Sequence, residues 1–256
     1  MRIDLNGDVG ESFGRYTLGR DAALMPVLTS ASIACGFHAG DPGVMRATVA
    51  LAKAHRVAIG AHPGFPDLVG FGRRELAATP REVEDLVLYQ VGALAAVAAA
   101  QGVRLRHVKP HGALYNQAAR DPALAAAIAT AVAAFDPSLI LFGLSGSVLL
   151  EAGRRAGLST AAEAFADRAY RADGTLVPRD RSGAVLTDAE LVARRALEMV
   201  RERAVTAADG TRVALDIDTV CLHGDTPEAA LMARRVRESL EAAGVVVAAA
   251  GAQAAS

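Results

Sequence analysis

The chain has 256 residues, 27 basic against 28 acidic side chains, a net charge of −1 and 52% hydrophobic residues. Near-neutral balance without a basic block excludes an electrostatic surface for nucleic acid or anionic membrane, and the apolar content excludes disorder. Trp is absent, and two cysteines, Cys35 and Cys221, are too few for a disulfide framework or a thiolate zinc site.

Strand-like runs alternate with amphipathic helical segments. RIDLNGDVG, ASIACGF, VAIGAHP, LRHVKPHG, LILFGLSG, LSTAAEAFADRAY and DTVCLHGD read as strands in chain order, with VVVAAA near residue 247 as a candidate eighth. Between them PGVMRATVALAKAH, PREVEDLVLYQVGALAAVAAAQ, PALAAAIATAVAAF and PEAALMARRVRESLEAAG carry helical periodicity. Such alternation, with nearly continuous apolar strands, predicts a parallel sheet covered by helices. Seven or eight strands fit a closed (β/α) barrel better than a six-stranded open sheet, and no Gly-x-Gly-x-x-Gly turn follows the first strand. Thr79 with Glu82 and Thr187 with Glu190 have capping-box spacing, while Asp41, Asp121 and Asp136, each before a proline, read as N-caps. Residues 166–185 are polar and contain glycine, which predicts a long loop over one face. Residues 1–250 are expected to form a single barrel domain, with 251–256 as a frayed tail. The start has no apolar signal-peptide core, and no apolar run reaches membrane-spanning length without a charge, so a cytoplasmic protein is expected.

Polar residues collect where the strands end. Asn6 and Asp8 end the first, with Glu11 just beyond; His38 follows the second and His62 the third. Lys109 and His111 end the fourth, Glu163 lies in the sixth with Arg168 just past it, and His223 and Asp225 end the seventh. In a parallel barrel all strand C-termini open on one face, so these residues should meet in one mouth. Lys109 stands out because the 27 basic residues include only one other lysine, Lys53. Arg is a planar fork that keeps its proton, whereas Lys is a compact cation whose pKa moves on burial, so Lys109 suits a point charge or a titratable amine. Arg73 and Arg74 after a glycine suit an anion. The run GLSGS (143–147) lacks the last glycine of a nucleophile elbow and reads instead as a loop or a backbone phosphate cradle. Bland readings stand beside these: Asp41 as a cap, Asp4 and Asn6 as inward polar packing, both cysteines as small buried thiols.

The residue types support two enzymatic readings. Histidines and aspartates could hold a metal that activates water, or Lys109, Arg73, Arg74 and Arg168 could hold anions while Asp8, Glu11 or a histidine moves protons. A ligand-binding subunit with its chemistry in partners is the non-enzymatic alternative.

The motifs IDLNGDVGESFG, SIACGFHAGDP, VAIGAHPGFPDLVGFGRRE, HVKPHGALYNQAARD, AEAFADRAYRADGTLVPR and DTVCLHGDTP resemble those of the LamB/YcsF family, from residue 2 to about residue 228. Gly7 stands where the family often has Ala. The resemblance implies a distorted seven-stranded (β/α) barrel of TIM type, related to polysaccharide deacetylase-like barrels. The implied activity is that of the bacterial 5-oxoprolinase: hydrolytic opening of 5-oxo-L-proline to L-glutamate, coupled to hydrolysis of ATP, with partner subunits B and C. Under that implication Asp8 or Glu11 is the base, His62 or His111 passes protons, and His38 is a further catalytic candidate. Lys109, Arg73 or Arg74 holds phosphate or the substrate carboxylate, and Asn6, Glu163, Arg168, His223 and Asp225 complete the binding surface. Mg²⁺ arrives with ATP, held in part by Asp8 and Asp225. No Gly-x-x-x-x-Gly-Lys-[Ser/Thr] loop is present, so the nucleotide binds in the mouth by another arrangement or on the partners.

Overall fold

The computed structural model describes residues 1–223 and 229–252. Seven parallel strands close into a barrel: β1 (Arg2–Val9), β2 (Ser30–Ala34), β3 (Ala58–His62), β4 (Leu105–Val108), β5 (Ile140–Leu144), β6 (Ser159–Phe165) and β9 (Thr219–His223). Closure is made by β9 pairing with both β6 and β1. The run near residue 247 is a short strand, β10 (Val246–Val247), which pairs with Arg2 and Ile3 at the start of β1. There β9 has not yet begun to pair with β1, so β10 plugs the foot of the seam and does not become an eighth stave.

Helices follow the strands in the expected rhythm. These are α1 (Asp21–Leu24), α2 (Pro42–His55), α3 (Pro80–Ala99), α4 (Gly112–Ala118), α5 (Pro122–Phe135), α6 (Val148–Arg155), α7 (Ala189–Glu202) and α8 (Ala229–Ala242). Asp41 and Asp121 cap α2 and α5 with their side chains, and Thr79 and Glu82 form the full capping box of α3. Two boundary expectations need correction. Asp188, not Thr187, caps α7, because its carboxylate accepts from Leu191 N. Asp136 ends α5, and its carboxylate accepts from Ser138 N in a turn that leads directly into β5. A two-stranded hairpin, β7 (Ala204–Thr206) and β8 (Arg212–Ala214), stands outside the barrel. Among the described residues no single helix is long and apolar enough to cross a membrane. The tail from residue 253 onward lies outside the described residues.

The barrel interior is polar, and the alternation of β1 explains it. Ile3, Leu5 and Val9 are buried in the apolar core, while Asp4, Asn6 and Asp8 bond to the side chains of Ser30, Glu163 and Lys109. Asp4 accepts from the hydroxyls of Thr29 and Ser30 at 2.6 and 2.7 Å. Burial raises its carboxyl pKa, and the hydroxyls from Thr219, Thr29 and Ser30 oppose that rise. Above Asp4, the Asn6 amide donates to Thr219 Oγ1 at 2.8 Å and to Glu163 Oε1 at 2.9 Å. The inward polar packing anticipated for Asp4 and Asn6 is therefore present, in place of the branched apolar layers usual in such barrels.

His107, inside β4, belongs to this interior. Its ring stacks on Phe142 with centroids 4.3 Å apart, and Nε2 lies 3.2 Å from Ser32 Oγ. Gly60 makes room for it, since a Cβ there would stand 2.1 Å from His107 Nε2. Burial, then the charge of Lys109, push the His107 pKa down to about 3. A neutral buried histidine stabilises the fold fully above its unfolded pKa of about 6.5. Below it the unfolded chain binds the proton first, so this contribution is lost as pH falls from about 6.5 to about 3. The difference in unfolding free energy between the wild type and His107→Gln should therefore change by up to about 1.4 kcal/mol per pH unit in that window. Chemical denaturation across pH checks this; parallel curves would count against it.

Candidate active site

The strand ends open into a cavity of about 710 Å³ whose wall includes Asp8, Glu11, His62, Lys109, His111 and Glu163. Its floor is an ion-pair network around Lys109, which is 2% exposed. The ammonium lies 2.6 Å from Asp8 Oδ1, 3.0 Å from Glu163 Oε1 and 2.8 Å from Asn6 Oδ1, with Cys221 Sγ at 3.3 Å. Burial alone would lower the lysine pKa, but the carboxylates of Asp8 and Glu163 outweigh it, and the value sits well above the ordinary range. Of the two sequence readings, the ion pairs with Asp8 and Glu163 favour the point charge. An ammonium has three donors, and Asn6, Asp8 and Glu163 take them, so Lys109 braces the carboxylates in place of gripping a phosphate.

Glu163 is fully buried, and its second oxygen accepts from the Tyr115 hydroxyl at 2.7 Å. Tyr115 is a member of the site that the sequence reading missed. Its position in α4, seven residues after β4 ends, was the available signal, because the first turns of a βα unit lie over the mouth.

Beside the floor stands a cluster of histidines and carboxylates. His62, at the end of β3, points Nδ1 at the Lys109 carbonyl at 2.7 Å. A carbonyl accepts, so Nδ1 carries the hydrogen and Nε2 faces Asp8 Oδ2 at 3.3 Å and His111 Nδ1 at 3.0 Å. His111 donates from Nε2 to the Phe71 carbonyl at 2.8 Å, which leaves its Nδ1 turned inward, 3.5 Å from Glu11 Oε1. His38 lies in the loop after β2 and stacks on His111 with centroids 3.7 Å apart and Nε2 3.4 Å from Glu11 Oε1. Burial is the first cause that lowers the pKa of both His38 and His111, so both rings favour the neutral form. The loop between β3 and α3 closes over them. Phe71 (φ 54°) and Gly72 (φ 63°) take left-handed conformations, and a Cβ on Gly72 would come within 2.8 Å of both His38 and His111.

The two adjacent arginines diverge. Arg73 reaches the cavity wall and lies over the Phe71 ring, its guanidinium carbon 5.3 Å from the centroid. Arg74 turns to Asp67, with Nε 3.0 Å from Oδ2, and its side chain is 63% exposed. Its anticipated role in anion binding is corrected: it fastens the loop. The long polar loop after β6 supplies a further part of the wall, where Arg168, Arg171 and Arg179 line the cavity. Contrary to its polar look, this loop has a buried anchor, because Tyr170 is fully buried and its hydroxyl accepts from Phe165 N at 2.8 Å. Arg168 donates to the carbonyls of Val177 and Ala184. Burial, then the charge of Arg179, lower its pKa to about 10, with Arg73 adding to the effect. Cations held near one another in this way favour an anion between them. GLSGS forms the turn between β5 and α6, and Ser145, Gly146 and Ser147 line the cavity.

His223 ends β9 in register with Asp8, at the mouth as expected. Its side chain, and Asp225 altogether, lie outside the described residues. Cys35 and Cys221 are buried thiols, and burial pushes the Cys35 pKa up to about 12.

The family model for LamB/YcsF matches residues 3–255. The chain belongs to the LamB/YcsF family. It is similar to a protein of Heliobacterium modesticaldum named as the A subunit of 5-oxoprolinase, 58% identical over 96% of this chain and 97% of the relative. A relative of the same name from Bordetella pertussis is 56% identical over 97% of this chain and 98% of its own. Among solved structures, the lactam utilization protein from Thermus thermophilus superposes with a TM-score of 0.92 at 56% identity, over 97% of this chain and 100% of that one. A more distant structure, a candidate cellobiose-phosphate cleavage protein of Enterococcus faecalis, shares the fold at a TM-score of 0.54 and 14% identity, over 96% of each chain. The LamB/YcsF motifs thus sit on the closed seven-stranded barrel anticipated for them.

Proposed function

We propose that this LamB/YcsF chain is the A subunit of a 5-oxoprolinase, which opens the ring of 5-oxo-L-proline to L-glutamate at the expense of ATP. The observation that carries the reading is the cavity itself. Its lining combines the carboxylates of Asp8, Glu11 and Glu163 and the imidazoles of His62 and His111 with several arginines, the acid–base groups and the anion-binding groups that the reaction demands. Support comes from nearly full-length relatives that are named as the A subunit of 5-oxoprolinase.

A five-membered lactam is a resonance-stabilised amide, and its carbonyl needs activation before water attacks. Transfer of the terminal phosphoryl group to the amide oxygen forms an O–P bond and releases ADP. Water then adds to the ring carbon and gives its proton to a base. The C–N bond breaks as the ring nitrogen takes a proton, and a second water releases phosphate from the acyl phosphate. The balance is one 5-oxoproline, one ATP and two waters giving glutamate, ADP and phosphate. In this chain Asp8 is the base, held against the Lys109 ammonium, and the wall of His62 and His111 moves protons to the nitrogen. Arg73, Arg168, Arg171 and Arg179 receive the substrate carboxylate and the phosphates. Mg²⁺ accompanies the nucleotide, and subunits B and C complete the enzyme. A cytoplasmic location, where ATP is abundant, fits this reading.

A second reading, a metal-dependent amidohydrolase that needs no ATP, is favoured by the histidine–carboxylate cluster. The two part on one experiment. Release of ADP that depends on 5-oxoproline and on subunits B and C supports the first; glutamate formed by this chain alone without ATP supports the second.

A further inference from the structure

The cluster beside Asp8 has a geometry that proton transfer alone does not explain. Glu11, His38, His62 and His111 each turn one donor atom to a common point, all within 4.8 Å of one another. All four are buried, at 8%, 0%, 1% and 4% exposure. The orientation of two rings is fixed from behind by carbonyls, His62 through Lys109 O and His111 through Phe71 O. With the outer nitrogens carrying the hydrogens, the inward nitrogens of these rings, 3.0 Å apart, present lone pairs to each other, an arrangement that calls for a proton or a metal cation between them. Carbonyls that hold the outer N–H of an imidazole, so that the inner nitrogen is free to donate, are the usual outer shell of a metal site. His38 adds a second observation. Among the described residues neither of its ring nitrogens has a hydrogen-bond partner, although the side chain is fully buried, and Glu11 Oε1 likewise has none. A buried polar atom without a partner costs free energy, and here two of them, His38 Nε2 and Glu11 Oε1, face one another at 3.4 Å.

The spacing is quantitative. Four donors about 2.0–2.1 Å from a tetrahedral ion stand about 3.3–3.4 Å apart. Three of the six donor pairs stand near that distance, 3.4 Å for His38–Glu11, 3.5 Å for His111–Glu11 and 3.0 Å for His62–His111, and the others lie within 4.8 Å. We propose that Glu11, His38, His62 and His111 form a binding site for one divalent transition-metal ion of the Zn²⁺ class, seated in the wall of the cavity. Three imidazoles and one carboxylate suit Zn²⁺, and nitrogen-rich donors disfavour Mg²⁺, so this site is distinct from the Mg²⁺ that travels with a nucleotide. Glu11, His62 and His111 line the cavity, which places the ion's charge within reach of a bound lactam, and Asp8 Oδ2 lies 3.3 Å from His62 Nε2 beside the site. This rests on the reading above for the cavity and changes one part of it: with the ion bound, His62 and His111 are ligands, and the proton that Asp8 takes from water is the one passed to the ring nitrogen.

The test uses the full chain alone, stripped by a chelator and titrated calorimetrically with Zn²⁺, Co²⁺ and Mg²⁺, with metal content after dialysis measured by mass spectrometry. The expected result is one equivalent of Zn²⁺ or Co²⁺, a rise in thermal midpoint, intense visible ligand-field bands for four-coordinate Co²⁺, and no response to Mg²⁺. His38→Ala and His62→Ala should each lose more affinity than the roughly 10–100-fold that removal of an outer partner costs. Should either fail to fold, His38→Gln, which keeps volume and polarity, and the wild-type Co²⁺ spectrum still decide the matter. Substoichiometric binding, affinity unchanged in the variants, or octahedral Co²⁺ bands would overturn the proposal. Because no substrate or partner enters the titration, metal bound by a chain that makes no glutamate would sink the activity and keep the site. Glutamate formed by a chain that binds no metal would do the reverse.

Discussion

Lys109→Met should destabilise the fold by about 3–5 kcal/mol, because it removes the cation that two buried carboxylates share. Asp8 and Glu163 approach the ammonium at 2.6 and 3.0 Å, and the latter is fully buried. Methionine fills much the same space but leaves Glu163 facing Asp8 without compensation. Urea unfolding of the wild type and the variant at neutral pH measures the loss. The double variant with Glu163→Gln should recover part of it, since the buried like charges are then reduced by one. In the wild type the Lys109 contribution is fully present below the ordinary lysine value of 10.5. It is lost as pH rises through the raised folded value, so the gap between wild type and variant should narrow at alkaline pH. A variant as stable as the wild type would mean that the network is no brace.

Asp8→Asn separates chemistry from architecture. The amide oxygen of asparagine still accepts from Lys109, so the floor survives, but the group can no longer take a proton. Glutamate formation from 5-oxoproline in the complete enzyme should fall about 10²–10⁴-fold in kcat, the usual contribution of a positioned general base. Because the loss is in proton transfer, KM should change far less, and unfolding should shift less than in Lys109→Met. Steady-state kinetics on the purified complex give both numbers. An unchanged kcat would pass the role of base from Asp8 to another group of the same wall.

Much of this site was legible because a parallel barrel converts strand order into proximity. Asp8, His62, Lys109 and His111 each fall at or just beyond a strand end, and Glu163 lies in β6, so one topological rule brought them together. The alternation of Asp4, Asn6 and Asp8 likewise gave the inward face of β1. What stayed hidden depends on side-chain direction and loop path, which periodicity does not carry. Nothing in the run Gly72-Arg73-Arg74 tells which arginine faces the cavity; Asp67, seven residues earlier, decides it by claiming Arg74. The stacking of His38 on His111 depends on how the loop after β2 folds back. His107 shares the HVKPHG motif with Lys109 and His111 but faces Phe142 inside the barrel, and the cue was the glycine at position 60 that makes room for it. The hairpin β7–β8 was missed because three-residue strands leave no period to read.

The most direct test is the reaction balance. The wild-type chain, combined with purified subunits B and C, is supplied with 5-oxo-L-proline and ATP, and glutamate and ADP are counted together. The account predicts that the two appear in equal amounts, only when all three subunits and ATP are present, and that both fall together in Asp8→Asn. Glutamate appearing at the full rate without ATP, or from subunits B and C without this chain, would contradict it.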